Sequence, residues 1–260
     1  MSASRTRVSV RDPMSPVRAV EVRTNGDAVF QGIEILADSG QYELLNVHST
    51  SYNLLANADV ERAARRVLDD SGLDWRRVRE TWTGRFWARQ WMSDYQIEAP
   101  AVGDVLALGL LVQNSYDGSA QASMVLMAYV VACTNGLMSS RHFESYAMKH
   151  LVSETFDTRG AVAKLNAGMQ QVQELVPVME RLHRIPLTVD LLVDVAVRTQ
   201  LPRAEWGFVL EKLKGAETAY GLLMALTDRL SRNGRGRAGL DHQDRVGNLF
   251  FTDLVQELPA

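Results

Sequence analysis

The chain has 260 residues, 46% hydrophobic and 23% charged, with a net charge of −3 and an isoelectric point near 6.0. This length supports one large domain or two small ones around a real core, and the acidity excludes a global basic field of the kind that coats duplex DNA. The single cysteine, Cys133, excludes an internal disulfide and a cysteine-based zinc cluster.

The start, residues 1–16, is polar and arginine-bearing and is not a signal peptide. No run of about eighteen apolar residues offers a membrane span, so a cytoplasmic protein is expected. Residues 1–24 carry five arginines against one Asp and one Glu, with two prolines, and read as a flexible basic arm extending to about residue 26. Turn signals at Asn25-Gly26-Asp27 and Asp38-Ser39-Gly40 bound a short strand over 28–37, and a second strand follows over 42–49. Asn57 is placed to cap a helix over 58–70 that Gly72 closes. Its apolar stripe is Val60, Ala63, Ala64, Val67 and Leu68, with Arg62, Arg65, Arg66 and Asp69 facing out.

Four of the five tryptophans then fall between Trp75 and Trp91, interleaved with five arginines. Read as one strand, the stretch puts Arg79, Thr81, Thr83, Arg85, Trp87, Arg89 and Trp91 on one face, and Val78, Trp82, Gly84, Phe86, Ala88 and Met92 on the other. The first face is cationic and aromatic together, which suits a single nucleic-acid strand: guanidinium groups for phosphate and ring faces for bases. On this reading Arg79, Arg85 and Arg89 contact phosphate, Trp87 and Trp91 stack, and Arg76 and Arg77 are further candidates. The same alternation also fits a strand with solvated arginines whose tryptophans pack beneath a neighbouring helix.

Two apolar runs, 105–112 and 123–133, flank Asp117-Gly118 and predict a hairpin. Asn135-Gly136 predicts a turn after the second run, and both runs alternate too little for strands left beside water. Either residues 28–49 or a neighbouring subunit is therefore expected to complete the sheet, the latter in a ring or short array. From Phe143 onwards the texture is helical. Residues 160–182 repeat apolar positions at helical spacing, with Pro177 as a kink or break. Further helices are expected over 188–199, 202–214 and 218–231, and residues 233–239 read as a mobile basic loop. The class is α+β: a small antiparallel sheet, a three-strand meander plus N-terminal strands, packed on a long helix with a helical C-terminal region. The divisions are a basic arm over 1–26, a sheet domain over 27–155 and a helical region over 156–260.

Catalytic signatures are missing. The five histidines show no metal spacing, and no phosphate loop, nucleophile elbow or dinucleotide fingerprint is present. Turn chemistry accounts for the nucleophile-like letters of Asn114-Ser115-Tyr116-Asp117-Gly118-Ser119. No cofactor or metal is expected, and no enzyme.

The strings Leu111-Val112-Gln113-Asn114-Ser115-Tyr116-Asp117-Gly118-Ser119, Ala132-Cys133-Thr134-Asn135-Gly136-Leu137 and 217–227, from Glu217-Thr218-Ala219-Tyr220-Gly221 onwards, resemble the phage/plasmid-like family of unknown function. The resemblance runs from about residue 42 to 254 and departs from the family pattern at Met224, where an Asn often stands. It implies a mobile-element protein without a settled activity. A weaker, fold-level resemblance links three antiparallel strands and a long helix to ring-forming single-strand annealing proteins. These readings lead to a non-catalytic, homo-oligomeric single-stranded DNA-binding protein, with strand annealing as its activity. The alternative is a protein-binding module of a mobile element, such as an anti-restriction or host-interaction protein.

Overall fold

The computed structural model describes residues 8–24, 28–148, 158–232 and 236–257. Strands β1 (Val17–Arg23), β2 (Val29–Leu36) and β3 (Tyr42–His48) make a three-stranded antiparallel sheet in that order. Ile33 and Ile35 of β2 point inward with Val10, Ala37, Leu45 and Tyr116. The flexible-arm reading is corrected over 17–23. Four of those seven residues are apolar, three of them valine, and their backbone pairs residue by residue with β2, from Val17–Ile35 to Arg23–Val29. Trp82 also donates its indole N–H to the Val10 carbonyl at 2.8 Å, tying the segment before β1 to the body. Residues 1–7 of the expected arm lie outside the described residues.

Helix α1 (Asn57–Asp70) buries Val60, Ala64, Val67 and Leu68, as its stripe requires. Asn57 is not its cap. The capping position is Ala56, without a side-chain bond, while Asn57 turns inward. Its backbone N–H donates to the Tyr116 hydroxyl at 2.8 Å, and its Oδ1 accepts from Asn114 Nδ2 at 2.9 Å. A distant tyrosine thus satisfies one of the N–H groups that the start of a helix leaves without an intrahelical partner.

The main sheet has β4 (Trp75–Trp82), β5 (Phe86–Ala99), β6 (Asp104–Ser115), β7 (Ala122–Val130) and β8 (Asn135–Leu137) in that order, and β9 (Ser145–Met148) pairs with the other end of β7. The single strand expected through 75–92 is instead a hairpin. It turns at Thr83-Gly84-Arg85, where Gly84 has φ +88° and Thr83 N–H donates to the Phe86 carbonyl at 3.1 Å. Residues 28–49 do not complete the meander: β4 extends one edge, and β8 and β9 share the other. The β6–β7 hairpin turns through Gly118 at φ +75° as expected. After β7 the left-handed residue is Thr134, φ +54°, and Asn135-Gly136 belongs to β8 instead of the turn. β9 likewise corrects the helical reading just past Phe143.

The helices are α2 (Thr158–Arg184), α3 (Val189–Thr199), α4 (Arg203–Lys212), α5 (Ala219–Arg232) and α6 (Gly236–Asn248). α6 continues through a π-helical turn, Leu249–Asp253, into α7 (Leu254–Glu257). Pro177 lies within α2, which does not break. Residues 236–239 of the expected mobile loop begin α6, and 233–235 lie outside the described residues. Among the described residues no helix is long and apolar enough to cross a membrane, and no group of metal-ligating side chains is assembled.

The two faces of the main sheet differ. Trp87, Trp91, Leu106, Leu108, Leu110, Leu126 and their neighbours pack under α1, α2 and α5 in the larger core. α2 sits so close that a Cβ on Gly168 would lie 2.7 Å from Leu126 Cδ1. The second face carries Phe86, Ala88, Met92, Ala107, Leu111, Met127 and Tyr129, and Leu240 of α6 packs against them.

Candidate nucleic-acid interface

Cross-strand register decides where each expected site residue points, because directly paired residues share a face. Trp82 pairs with Trp87, Glu80 with Arg89, and Arg77 with Trp91, all on the helix-covered face. Arg79 pairs with Gln90 and Arg76 with Met92, on the second face. A register shift between Arg77 and Arg79 puts one extra residue, Val78, into β4, so arginines that strict alternation would separate come to lie together. The turn and this bulge split the set that a single strand would have united.

Three of the seven expected residues are therefore core residues. Trp87 is 0% exposed and Trp91 7%, so neither presents a ring face to a base. Arg89, 6% exposed, lies between the carboxylates of Glu61 and Glu80, with Nε 3.0 Å from Glu80 Oε1. Glu80 also accepts the Trp87 indole N–H at 2.9 Å, and Arg65 of α1 stacks over Trp91 with its guanidinium 5.1 Å from the ring centre. Burying a guanidinium requires paired carboxylates, and α1 and β4 each supply one. The alternative reading, tryptophans packed beneath a helix, holds for Trp87 and Trp91.

The other four reach the surface or its margin. Arg77 is exposed and lies 3.6 Å from Glu80. Arg85 is exposed at the hairpin tip and Arg76 on the second face, while Arg79 is half-buried there. Among the described residues none of Arg76, Arg79 and Arg85 forms an ion pair; the one bond that Arg76 makes runs from Nη2 to Met92 Sδ at 3.9 Å. Burial lowers the Arg79 guanidinium pKa, the positive charge of Arg232 lowers it further, and Tyr129 opposes both.

Tyr129, 0% exposed, and Gln90, 5% exposed, are buried on the same face of the sheet, and the sequence singled out neither. Tyr129 leans from β7 across β6 at Gly109, where an added Cβ would lie 2.7 Å from its ring. Its hydroxyl donates to Gln90 Oε1 at 2.8 Å. The only local sign was a glycine within an apolar strand, which marks a close approach without naming the partner. Arg232 and Arg237 border the face, but Asp228 holds Arg232 at 2.6 Å and Asp241 holds Arg237 at 2.8 Å.

A second concavity, of about 520 Å³, lies beside the π-helical turn and is lined by Arg141, Arg198, Arg245, Asp244 and Asp253. Its charges are largely cancelled: Asp253 takes Arg141 at 2.7 Å and Arg198 at 3.1 Å, and Glu257 takes Arg198 at 2.7 Å. The motif strings serve architecture. Asn114 and Tyr116 anchor α1, Ser115 Oγ brackets Ala120 through bonds of 2.8 and 2.9 Å, and the Tyr220 hydroxyl donates to Asp104.

Fold and surface define an α+β protein with two antiparallel sheets and a cationic hairpin at one sheet edge. The chain belongs to the family described as Domain of unknown function (DUF932), whose model matches residues 44–249. All three motif strings lie within that span. No curated protein and no solved structure matches the chain.

Proposed function

We propose that the chain is a non-catalytic, cytoplasmic single-stranded DNA-binding protein of a phage or other mobile element, holding its ligand by phosphate contacts along the β4 edge. The observation that carries this reading is the group of three arginines, Arg76, Arg79 and Arg85, without carboxylate partners at one end of the sheet. Most arginines elsewhere on the surface are neutralised by neighbours, as in the π-turn cleft. With the tryptophan rings buried, affinity on this reading comes from the backbone of the strand, which leaves bases exposed for pairing. The meander of β5, β6 and β7 backed by α2 resembles, at the level of fold, the unit of ring-forming annealing proteins, and annealing in an oligomeric array is proposed by that analogy alone.

Binding to single-stranded DNA, duplex DNA and RNA across a salt series tests it. The Arg76→Ala, Arg79→Ala, Arg85→Ala triple variant is expected to bind single strands more weakly. Its log–log salt slope should fall by about one unit for each phosphate that is no longer neutralised. Unchanged affinity in the folded triple variant would sink the assignment.

A protein-binding module is the second reading, and one observation favours it. Val189, Val193 and Val197 form a stripe on α3 and are 76%, 56% and 68% exposed. Helical spacing puts them on one side, an arrangement suited to an apolar partner surface. A Val193→Asp variant that loses host phenotype but retains DNA binding would favour this reading over the first.

A further inference from the structure

We infer that a second copy of this chain docks head to tail, laying its α3 across the outward face of the β1–β2–β3 sheet. This contact goes beyond the nucleic-acid reading: it supplies the joint that an array needs and stands without any nucleic acid.

Cross-strand register defines the sheet face. Val20 and Val47 both pair with Gly32, Val22 pairs with Phe30, Glu34 with Leu44 and Leu36 with Tyr42, so all share one side. Gly32 leaves room for Val20, Val22 and Leu44 to close over it, each within 3.0 Å of where a Cβ would lie. The inward side is apolar as well, with Ile33, Ile35 and Leu45 in a core. An antiparallel sheet with one side in water alternates apolar and polar residues. This sheet is apolar on both sides, and Tyr42, Leu44 and Val47 are exposed. None of the apolar residues on its outward face belongs to a core cluster.

Helix α3 presents the same contradiction. Leu191, Val195 and Thr199 face inward. Val189, Val193 and Val197 face outward on the opposite side, and they too lie outside every core cluster. Valine is stiff at χ1 and a poor helix former, so on a solvated face it weakens the helix and gains no packing. Three in one stripe mark a face that a partner covers.

The two surfaces suit each other. Both are uncovered among the described residues of one chain, so they can meet only between copies. A sheet buries an apolar face beneath a helix, as the main sheet does beneath α2. Charge agrees at the margin. Asp190, which has no ion pair among the described residues, flanks the valine stripe. Arg18, still half-exposed beside Glu34, stands on the sheet face over the Tyr42 ring, 3.9 Å from its centre. A contact between two different surfaces does not close at two chains but continues into a ring or filament. The helix has 11 residues, about 16 Å, and the sheet face is about 14 Å by 24 Å. One joint is therefore smaller than the roughly 800 Å² a side of a standard interface, and assembly rises with concentration.

Sedimentation equilibrium of the full chain without nucleic acid, from about 1 μM to about 300 μM, tests the contact. The samples are the unsubstituted protein, Val47→Asp, Val193→Asp and a 1:1 mixture of these two variants. Both substitutions lie at exposed positions and should lower the melting temperature by no more than about 4 °C. Leu44→Gln and Val197→Asp replace them should either unfold. The unsubstituted chain should grow beyond two chains as concentration rises, and each variant alone should stay single. Their mixture should form a two-chain species and stop there, because Val47→Asp keeps an intact α3 and Val193→Asp an intact sheet face. A two-fold contact between like surfaces cannot give that complementation. An unsubstituted chain that stays single throughout leaves α3 to the partner protein of the second reading and overturns the contact. Assembly of either variant on its own overturns it too, as does a mixture that stays single. The arginine triple variant reads DNA binding separately, so loss of the nucleic-acid reading leaves these outcomes untouched.

Discussion

Glu80 Oε1 accepts the indole N–H of Trp87 at 2.9 Å and the Arg89 Nε–H at 3.0 Å, so one carboxylate oxygen bridges two residues of the facing strand. Glu61 approaches Arg89 from α1 and also takes Arg65 at 2.8 Å. The network locks α1 to the β4–β5 hairpin, and its removal should be felt as instability instead of lost affinity. Arg89→Ala leaves the buried Glu61 carboxylate with the half-exposed Arg65 as its remaining counter-ion and is expected to cost about 2–3 kcal/mol. Arg85→Ala, at the exposed tip, should change stability by no more than about 0.5 kcal/mol. Urea denaturation of the two single variants checks the contrast, and equal midpoints would refute it.

Ser115 and Tyr116 hold the β6–β7 turn and the start of α1 by side-chain bonds that no catalytic role requires. Ser115→Ala removes both bonds to Ala120 and leaves a buried backbone N–H unpaired, at a cost of about 1–3 kcal/mol. Tyr116→Phe deprives the Asn57 N–H of its acceptor, at about 1–2 kcal/mol. Both variants should bind nucleic acid normally below their lowered melting points. Loss of binding in a Ser115→Ala protein with parental melting behaviour would reopen the enzyme reading.

Two glycines admit backbone or ring contacts that a methyl group would block. At Gly247 an added Cβ would overlap the Met138 carbonyl oxygen, so Gly247→Ala must push α6 off the segment that follows β8 and should cost about 3 kcal/mol or more. At Gly109 the obstacle is the Tyr129 ring at 2.7 Å, which can swing only by breaking its bond to Gln90. Gly109→Ala should cost about 1–3 kcal/mol, less than Gly247→Ala, because a ring can give way where a helix backbone cannot. Thermal melts of both variants check that order.

Much of the fold was legible where periodicity is local. The strands near 28–37 and 42–49, the Asp117-Gly118 hairpin and helices α2 to α5 all follow from spacing and turn residues. The candidate site was legible only as a composition. Arg76, Arg77, Arg79 and Arg85 reach the surface or its margin, but parity placed Arg79 with Trp87, Arg89 and Trp91, and it lies on the opposite face. Two local events account for this. A single glycine between strong strand formers, at Gly84, turns the chain, and the bulge at Val78 shifts parity without any characteristic residue. The remaining differences are tertiary. Asn57 loses its capping role to Tyr116, which is remote in sequence, and Arg89 loses solvent because Glu61 on α1 faces it. Neither partner can be read from the residues nearby.

Alkaline titration gives a readout of the core that needs no ligand. Burial raises the Tyr52 phenol to about 12, with Asp117 adding to the effect, and burial also pushes up Tyr116, Tyr129 and Tyr220. A phenol in an unfolded chain titrates near pH 10. The folded-state value is therefore raised, and the neutral phenol is the form the fold prefers. Each group's contribution is fully present below about pH 10 and is lost as pH rises through the folded value, because the unfolded chain ionises first. Between those limits each phenol can contribute a fall of up to about 1.4 kcal/mol per pH unit, and the more exposed Tyr52 contributes less because solvent screens it. Stability from urea titrations should accordingly be insensitive to these groups near neutrality and should decline steeply above about pH 10. The decline should be shallower in Tyr116→Phe, which removes one of the four phenols. A stability profile that stays flat well above about pH 10, or tyrosinate absorbance that develops fully near that pH without unfolding, would show that these phenols are not held neutral by the core.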